Sequence, residues 1–266
     1  MKEMLFDGLT ITEIKQKISS ATSVELEGYI PLLETDSRAG VQRLADQCKR
    51  KVAEEHRKLL HWETINQEEK RLREKGFLHI AGVDEVGRGP LAGPVVTAAV
   101  ILPAGFECIG INDSKQLKKE EREAFAKIIK EQAISHSIAF VDARDIDRLN
   151  IYQATLLAMK QAVESCSTPP DYCLIDAMNP SISIPYESLI KGDAKSVSIA
   201  AASILAKVTR DQWMTEIAQL YPQYGFENHM GYATPEHQEA LRKYGPTPIH
   251  RQTFIKAFIN EKREAD

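Results

Sequence analysis

Acidic residues interrupt or follow apolar runs in three short segments of the chain. Asp84 and Glu85 lie in GVDEVGRG, Asp176 ends the apolar part of LIDAMNP, and Asp193 lies in KGDAK. A carboxylate inside a strand, as Asp84 would be, costs several kcal/mol unless it is paired, protonated or bound to a metal. A salt bridge to Arg88 is the structural alternative for Asp84, and a role in turn formation is the alternative for Asp176.

Gathered carboxylates indicate a site for hard cations. Oxygen ligands alone select ions such as Mg²⁺ or Mn²⁺. Two such ions, about 4 Å apart, activate a water molecule and stabilise the leaving oxygen of a phosphodiester. Because adjacent strand residues point to opposite faces, we expect Asp84 and Glu85 to share a site only if the strand ends or bulges between them.

The overall charge argues weakly against a nucleic-acid-binding protein, but its distribution is uneven. The net charge is −4 over 266 residues, whereas the stretch from Arg38 to Lys75 holds 11 Lys and Arg against 7 Asp and Glu. Neither C-x-x-C nor H-E-x-x-H occurs, so we expect free, buried cysteines and no zinc site. We expect neither a membrane span nor a secretory signal, and the cytoplasm is the expected compartment.

The texture of the chain changes at about residue 76. Up to there the pattern predicts helices: one or two short ones over 12–30, then a long polar helix from Asp36 toward Gly76. Its apolar stripe is thin, which predicts a partly solvated antiparallel arm that buries little. From Phe77 the chain alternates between strands and helices, which predicts an α/β domain with a mixed sheet.

Within this second region, the apolar runs and helical spacings define the expected elements. Strands are expected over 77–86, 94–102, 134–141, 172–176 and 182–190, and helices over 117–132, 151–164, 197–220, 235–243 and 252–261. The segment Gly87 to Ala92 fits G-x-G-x-x-A, but a strand-like run follows instead of the helix that a dinucleotide fold needs. No P-loop motif occurs either.

An ordered set of motifs resembles the bacterial ribonuclease HII family. The motifs are GVDEVGRGPLAGPVV, NDSKQL, LIDAMNP, KGD, AAASILAKVTRD and HMGYATPEH, and the resemblance runs from Phe77 to about Glu261. It implies the ribonuclease H fold, a mixed sheet of about five strands flanked by helices. It also implies cleavage of the RNA strand in RNA–DNA hybrids, and incision 5′ of a single ribonucleotide in duplex DNA during ribonucleotide repair, leaving a 3′-hydroxyl and a 5′-phosphate.

The resemblance also assigns roles to residues. Asp84, Glu85, Asp176 and Asp193 match the catalytic acids that bind Mn²⁺ or Mg²⁺. Three groups match substrate-binding positions: Gly87, Arg88 and Gly89, which sense the 2′-hydroxyl; Tyr232, which packs on the neighbouring sugar; and Lys115, Ser203 and Lys207, which contact phosphates or, alternatively, are ordinary surface and packing residues.

Some features depart from the family pattern or stand outside it. Ala177 and Ala233 occupy positions that are usually glycine, which leaves the local loop geometry open. The related ribonuclease HIII family favours lysine in the glycine motif, so Arg88 supports ribonuclease HII. An HIII-like activity, another nuclease or transposase of this fold, and a non-catalytic nucleic-acid-binding module are the alternatives, although a non-catalytic module is expected to lose acids that are all present here.

Two regions lie outside the catalytic motifs. Residues 1–76 form a predicted helical extension that either binds substrate or merely stabilises the fold, and residues 77–266 form the predicted catalytic domain. Near the C-terminus, Gln252, Ile255, Phe258 and Ile259 mimic a sliding-clamp peptide, although an amphipathic core helix has the same spacing. We expect a monomer.

Overall fold

The chain forms two compact units, Met1–Glu63 and Thr64–Asp266. The structure is a computed structural model that describes residues 5–260, except for the side chains of Ala257, Ile259 and Asn260. Among the residues described, no helix is long and apolar enough to cross a membrane.

The first unit is helical and has a hydrophobic core of its own. It contains α1 (Ile11–Ser19), α2 (Ser23–Glu34) and most of α3 (Ala39–Ile65). Thr10 and Thr22 begin α1 and α2, each in a reciprocal capping box with a glutamate three residues later. The expectation of a thin stripe that buries little is therefore wrong, because α1 and α2 supply the apolar partners that α3 alone lacks. The core consists of Phe6, Ile14, Ile18, Leu26, Leu33, Val41, Leu44, Ala45, Cys48 and Val52.

The long helix expected to run toward Gly76 is divided in two. α3 ends at Ile65, and α4 (Gln67–Glu74) follows Asn66, whose carbonyl accepts the first α4 hydrogen bond from Lys70 N at 3.1 Å. Asparagine favours such cap positions over helix interiors. The side chain of Leu72 in α4 is buried in the second unit, in a cluster with Ile80, Leu174, Leu189 and Ile199.

A mixed five-stranded sheet forms the centre of the second unit, as predicted. Its strands are β1 (Ile80–Val86), β2 (Val95–Ile101), β3 (Ser135–Val141), β4 (Tyr172–Asp176) and β5 (Tyr186–Leu189), in the order β3-β2-β1-β4-β5. The central strand β1 pairs antiparallel with β2 and parallel with β4. Since β1 and β4 run in the same direction, their carboxyl ends meet at one edge of the sheet.

The helices that follow in this unit are α5 (Lys119–Gln132), α6 (Ala143–Leu149), α7 (Ile151–Glu164), α8 (Val197–Leu220), α9 (Phe226–His229), α10 (Pro235–Tyr244) and α11 (Gln252–Asn260). Two of them, α7 and α8, cover the two faces of the sheet. On one face, Ala81 and Val83 of β1 pack with Met159 and Ala162 of α7. On the other face lies α8, so close to Gly82 that a Cβ there would come within 2.0 Å of the Ser198 backbone.

Candidate active site

Asp84 lies on the face of the sheet that α8 covers. It is two residues after Gly82 in β1, and only 5% of its surface is exposed. The hydroxyl of Ser203 in α8 donates a hydrogen bond to its carboxylate. The backbone N–H of Glu85 donates another, at 2.7 Å. The expected alternative partner, Arg88, lies instead 3.5 Å from the Glu85 carboxylate.

β1 carries Asp84 and Glu85 without a break between them. Pairing of β1 with β2 runs uninterrupted from Ala81 to Val86, so the strand neither ends nor bulges between the two acids, and a site shared by both stays a prediction. Pairing of β1 with β4, however, stops at Val83. Both acids therefore lie in the part of β1 that extends past its last pair with β4, where the sheet opens on that side.

Asp176 and Asp193 are joined by a hydrogen-bonded turn. Asp176 is the last residue of β4, and its Oδ1 accepts a hydrogen bond from Gly192 N at 2.6 Å. Gly192 begins the 3₁₀ turn that contains Asp193. Ala177, at a position where the family usually has glycine, has a φ of +44°. The loop has the left-handed backbone that glycine adopts freely, and the side chain of alanine makes this conformation strained.

The acids act on one another electrostatically. Burial, and then the charges of Glu85 and Asp176, raise the pKa of Asp84 well above its usual range. Burial and Asp176 raise the pKa of Glu85 against the opposing charge of Arg88. Burial, followed by the charges of Asp113 and Asp176, raises the pKa of Asp193. Buried carboxylates close to one another shift in this direction because burial and like charge both disfavour the charged form.

The loop of Gly87, Arg88 and Gly89, called the glycine loop below, follows β1 and lies beside Tyr232. Gly87 has a φ of +89°, and a Cβ at this position would come within 2.3 Å of the Arg210 side chain. A Cβ at Gly89 would lie 3.8 Å from the ring of Tyr232, and 43% of Tyr232 is exposed. Leu91 N donates a hydrogen bond to Gly231 O at 2.8 Å, which joins the two loops.

Two buried arginines hold this loop, and the sequence reasoning missed both. Arg210 donates to the carbonyls of Pro94, Ala92 and Met230 at 3.0–3.1 Å, and Arg251 donates to those of Gly87, Arg88 and Gly93 at 2.5–3.0 Å. Both side chains are fully buried, and burial lowers the pKa of each guanidinium. Arg210 lies in the motif AAASILAKVTRD but was given no role there, and Arg251 lies in no quoted motif, because the partners of both are main-chain atoms far away in sequence.

Comparison with known proteins decides the family. A model described as Ribonuclease HII matches residues 81–257, and one described as Ribonuclease HII N-terminal domain matches residues 10–73. The ribonuclease HII of Halalkalibacterium halodurans is 49% identical over 92% of this chain and 94% of its own length. That of Bacillus subtilis is 47% identical over 92% of this chain and 96% of its own length. The chain belongs to the ribonuclease HII family. It is therefore a nuclease, a hydrolase of phosphodiester bonds.

Solved structures share the ribonuclease H-like fold. The ribonuclease H2 of Pyrococcus horikoshii OT3 aligns with 70% of this chain and all of its own at a TM-score of 0.62 and 26% identity. The complex of PCNA with RNase HII from Archaeoglobus fulgidus aligns at a TM-score of 0.56 and 22% identity, over 67% of this chain and 96% of that one. Bst-RNase HIII in complex with Mn²⁺ aligns at a TM-score of 0.52 and 21% identity, over 71% of this chain and 70% of that one. At these lower identities, the last two support the fold alone.

The three predicted phosphate contacts, Lys115, Ser203 and Lys207, differ in their surroundings. Burial alone would lower the pKa of Lys115, but nearby acids, Asp113 first and then Asp84, raise it on balance. Ser203 lies beside Asp84 and also makes a hydrogen bond of 2.9 Å with Ser114. Lys207, in contrast, is paired with Asp211 at 2.7 Å on the same helix. Lys115 and Ser203 thus adjoin the acids, and Lys207 already has an anionic partner.

The acids fit a divalent cation chemically, although they are not drawn together as its ligands here. Within residues 5–260, no group of three His, Cys, Asp or Glu side chains is arranged to hold a metal ion. The buried Oε2 of Glu85 nevertheless has no hydrogen-bond partner among the described residues, which is costly for a carboxylate unless a cation binds it. All the donors are oxygens, and the cysteines are free and buried, as predicted.

Proposed function

We propose that this chain is an endonuclease that cleaves the RNA strand of RNA–DNA hybrids. It also incises 5′ of a single ribonucleotide in duplex DNA and leaves a 3′-hydroxyl and a 5′-phosphate, the first step of ribonucleotide repair in the cytoplasm. The observation that carries the proposal is the juxtaposition of two features on the carboxyl end of β1. The acids Asp84 and Glu85 lie within the last three residues of the strand, and the glycine loop beside Tyr232 follows.

In this proposal, Asp84, Glu85, Asp176 and Asp193 hold Mg²⁺ or Mn²⁺. When bound, such ions activate water and stabilise the charge that develops on the leaving oxygen. Mn²⁺ is the ion in the Bst-RNase HIII complex of the same fold. The chain itself orients the carboxylates: Ser203 and Glu85 N hold Asp84, and Gly192 N holds Asp176. Carboxylates fixed in this way keep their positions when a ligand binds.

The glycine loop and Tyr232 would distinguish RNA from DNA. The 2′-hydroxyl is the group that differs, and a loop without side chains at Gly87 and Gly89 lets backbone groups approach it. Tyr232 is partly exposed beside Gly89 and can pack on a sugar. Arg88 is also exposed, and its pairing with Glu85 at 3.5 Å is loose enough to be exchanged for a phosphate. Lys115 and Ser203 would contact the phosphate nearest the acids.

The N-terminal region, residues 1–76 in our proposal, would strengthen substrate binding without contributing a catalytic group. Its support is the excess of basic residues between Arg38 and Lys75. Some of that charge is already used within the first unit, where Lys49 pairs with Glu34 and Lys58 with Glu54. A binding role therefore predicts a smaller dependence on salt than the charge count alone suggests.

A sliding clamp is a further proposed partner of the monomeric enzyme. The supporting observation is the Archaeoglobus fulgidus complex, in which PCNA is the partner. In this chain, however, Ile255 is fully buried, and Phe258 packs against the cluster of Leu91, Leu241 and Ile255. The side chain of Ile259 lies outside the described residues. A Gln252→Ala variant, with only an exposed residue changed, should lose clamp affinity in a binding titration if this helix is the contact.

The decisive experiment is strand cleavage of three matched duplexes, each with and without Mg²⁺ or Mn²⁺. One duplex is all DNA, one carries a single ribonucleotide, and one has a continuous RNA strand. We expect cleavage of the last two only, and only with metal. A hybrid-cleaving enzyme that ignores the single ribonucleotide would indicate the HIII-like alternative. Binding without cleavage under every condition would indicate the non-catalytic module.

A further inference from the structure

Two loops form the proposed recognition surface, the glycine loop and the loop that carries Tyr232. A segment, Thr247–Arg251, contacts the glycine loop directly and the Tyr232 loop through His237 of α10. It pairs with the residues after the glycine loop through an antiparallel bridge between Ala92 and His250. Gly93 N donates to Ile249 O, and Arg251 N donates to Leu91 O, each at 2.9 Å. We propose that His250 and Arg251 are positioning residues that fix Tyr232 and the glycine loop relative to each other. This proposal rests on the proposed role of these loops in recognising the ribonucleotide.

A relay of two buried histidines connects this segment to Tyr232. His250 Nδ1 faces Thr247 N at 2.9 Å, and the two Nε2 atoms of His250 and His237 are 3.0 Å apart. His237 Nδ1 lies 2.8 Å from the carbonyl oxygen of Tyr232. Both histidines are at most 2% exposed. The relay therefore ends on the main chain of the residue proposed to pack on the sugar.

The partners at the two ends of the relay determine the tautomer of each ring. A backbone N–H can only donate, so His250 Nδ1 accepts from Thr247 and the proton of neutral His250 is on Nε2. That proton points at His237 Nε2, which must accept. The proton of neutral His237 is then on Nδ1, where it meets a carbonyl oxygen that can only accept. Every donor in the relay thus meets an acceptor when both rings are neutral.

Arg251 positions the glycine loop, just as His250 positions Tyr232 through His237. Its guanidinium reaches the carbonyls of Gly87, Arg88 and Gly93, and a planar fork of donors can satisfy such a set at once. A lysine at this position would keep the charge but would present it from a single nitrogen. Because His250 and Arg251 are neighbours, a displacement of this segment would move both recognition loops.

The matched pair His237→Leu and His237→Asn tests the relay. Both variants lose the ring, but the asparagine amide can still donate to Tyr232 O from about the position of Nδ1. Initial rates are measured on the single-ribonucleotide duplex and on the continuous RNA hybrid. We expect His237→Leu to lower the ratio of these two kcat/KM values about tenfold or more, since a displacement of 1 Å costs up to 10²-fold. We expect His237→Asn to stay within about threefold of the wild type.

Further variants separate this positioning role from a purely structural one. His250→Leu and Arg251→Lys should lower the same ratio, whereas His136→Leu, at an exposed site on β3, should not. Hydrogen exchange of residues 229–234, followed by mass spectrometry, should quicken in His237→Leu and His250→Leu. It reports on the loop even in a variant with little activity. If His237→Leu is too unstable to assay, His250→Leu carries the test.

The outcomes distinguish the two proposals. If the wild type does not incise the single-ribonucleotide duplex, the proposed recognition function fails, whatever the variants do. If the wild type incises it and both leucine variants keep its substrate ratio and its exchange rates, the positioning role is refuted. Equal loss of activity on both substrates, in proportion to the unfolded fraction, would also refute it, because that is the result of a structural role alone.

Discussion

Glu69 of α4 accepts hydrogen bonds at the start of the helix that supports the active site. Its side chain is 1% exposed, and its Oε1 accepts from Ser196 Oγ at 2.5 Å, Ser198 N at 3.0 Å and Ser198 Oγ at 2.5 Å. Ser196 is the N-cap of α8, so the carboxylate lies at the positive end of the helix dipole. α8 in turn carries Ser203, which donates to Asp84.

Two substitutions of Glu69 should differ in cost. Glu69→Leu leaves the Ser198 N–H and two serine hydroxyls without their acceptor in a dry site, although the hydroxyls still lie 3.1 Å apart and can satisfy each other in part. Each buried donor left unsatisfied costs about 1–3 kcal/mol, so we expect a loss of about 3–5 kcal/mol in the free energy of unfolding. Glu69→Gln keeps an acceptor for these donors but loses the charge and places an amide NH₂ where the buried Oε2 has no partner among the described residues, for about 1–2 kcal/mol.

Urea unfolding measures these differences, with Glu74→Gln on the exposed side of the same helix as the control. The hybrid should still be cleaved by the folded fraction of each variant, because the hydrogen bonds described for Glu69 involve only Ser196 and Ser198 and none of the proposed site residues. A Glu69→Leu variant within about 0.5 kcal/mol of the wild type would refute the reasoning, since that is the range of ordinary surface substitutions.

The same contact predicts where the chain can be shortened. A chain that begins at Thr64 keeps Glu69 and Leu72, and we expect it to fold and cleave. A chain that begins at Phe77 loses both and should unfold at far lower urea concentrations. Equal stability of the two would mean that α4 contributes nothing to the catalytic unit, and it would favour the domain boundary near residue 76. Binding by the Thr64 chain across a salt series then tests the substrate-binding role of the N-terminal region.

The remaining predictions concern the acids, the strained loop, the histidines and the tyrosine. Asp84→Asn should stay folded and lose several orders of magnitude in turnover; near-normal cleavage with Mg²⁺ or Mn²⁺ would contradict its role. Ala177→Gly should relieve the strain at φ +44° and raise the free energy of unfolding, measured in urea, by about 1 kcal/mol. An unchanged free energy of unfolding in this variant would disprove the strain. Burial, and then His237, lower the pKa of His250 from 6.5 to about 4. The contribution of neutral His250 to the free energy of unfolding is therefore complete above pH 6.5 and falls by about 3 kcal/mol as the pH drops toward 4. Unfolding of the wild type and of His250→Gln across this pH range should show that the difference between their free energies of unfolding shrinks. Tyr232→Ala should impair incision at a single ribonucleotide by more than its lowered melting temperature can explain. A loss of incision that matches the loss of folded protein would argue against sugar packing.

Much of the catalytic unit could be predicted because its elements are strongly patterned. The helices over 151–164 and 197–220 and the strand over 172–176 have the expected bounds. The expected strand over 182–190 is reduced to Tyr186–Leu189, and α6 was not predicted. Apolar runs that a sheet buries on both faces are readable from one sequence. A seven-residue helix such as α6, which begins at an aspartate cap, has too few turns for its period to stand out.

Features that depend on distant partners could not be predicted. The core of the first unit was missed because three helices each contribute a few apolar residues, and the pattern of α3 alone shows a thin stripe. The motifs predicted that the acids, the glycine loop and Tyr232 would form one site, and this stays a prediction, supported by the position of Gly89 beside Tyr232. They contain Arg210 and His237 but assigned neither a role, and they do not include Arg251 or His250. A residue that binds main-chain carbonyls or another ring has no characteristic spacing.

The distribution of cations explains how the site can tolerate its acids. Arg210 and Arg251 are buried and satisfied by main-chain carbonyls, and among the described residues neither forms an ion pair with a carboxylate. Had either been placed against Asp84, it would have bound the carboxylate permanently and competed with a divalent ion. The cations that do face the acids, Arg88 and Lys115, are long side chains that are not fully buried, and exposed pairs of this kind are weak. In the proposed function, they can therefore leave the acids for a phosphate when cation and substrate bind, whereas the buried arginines keep the glycine loop fixed.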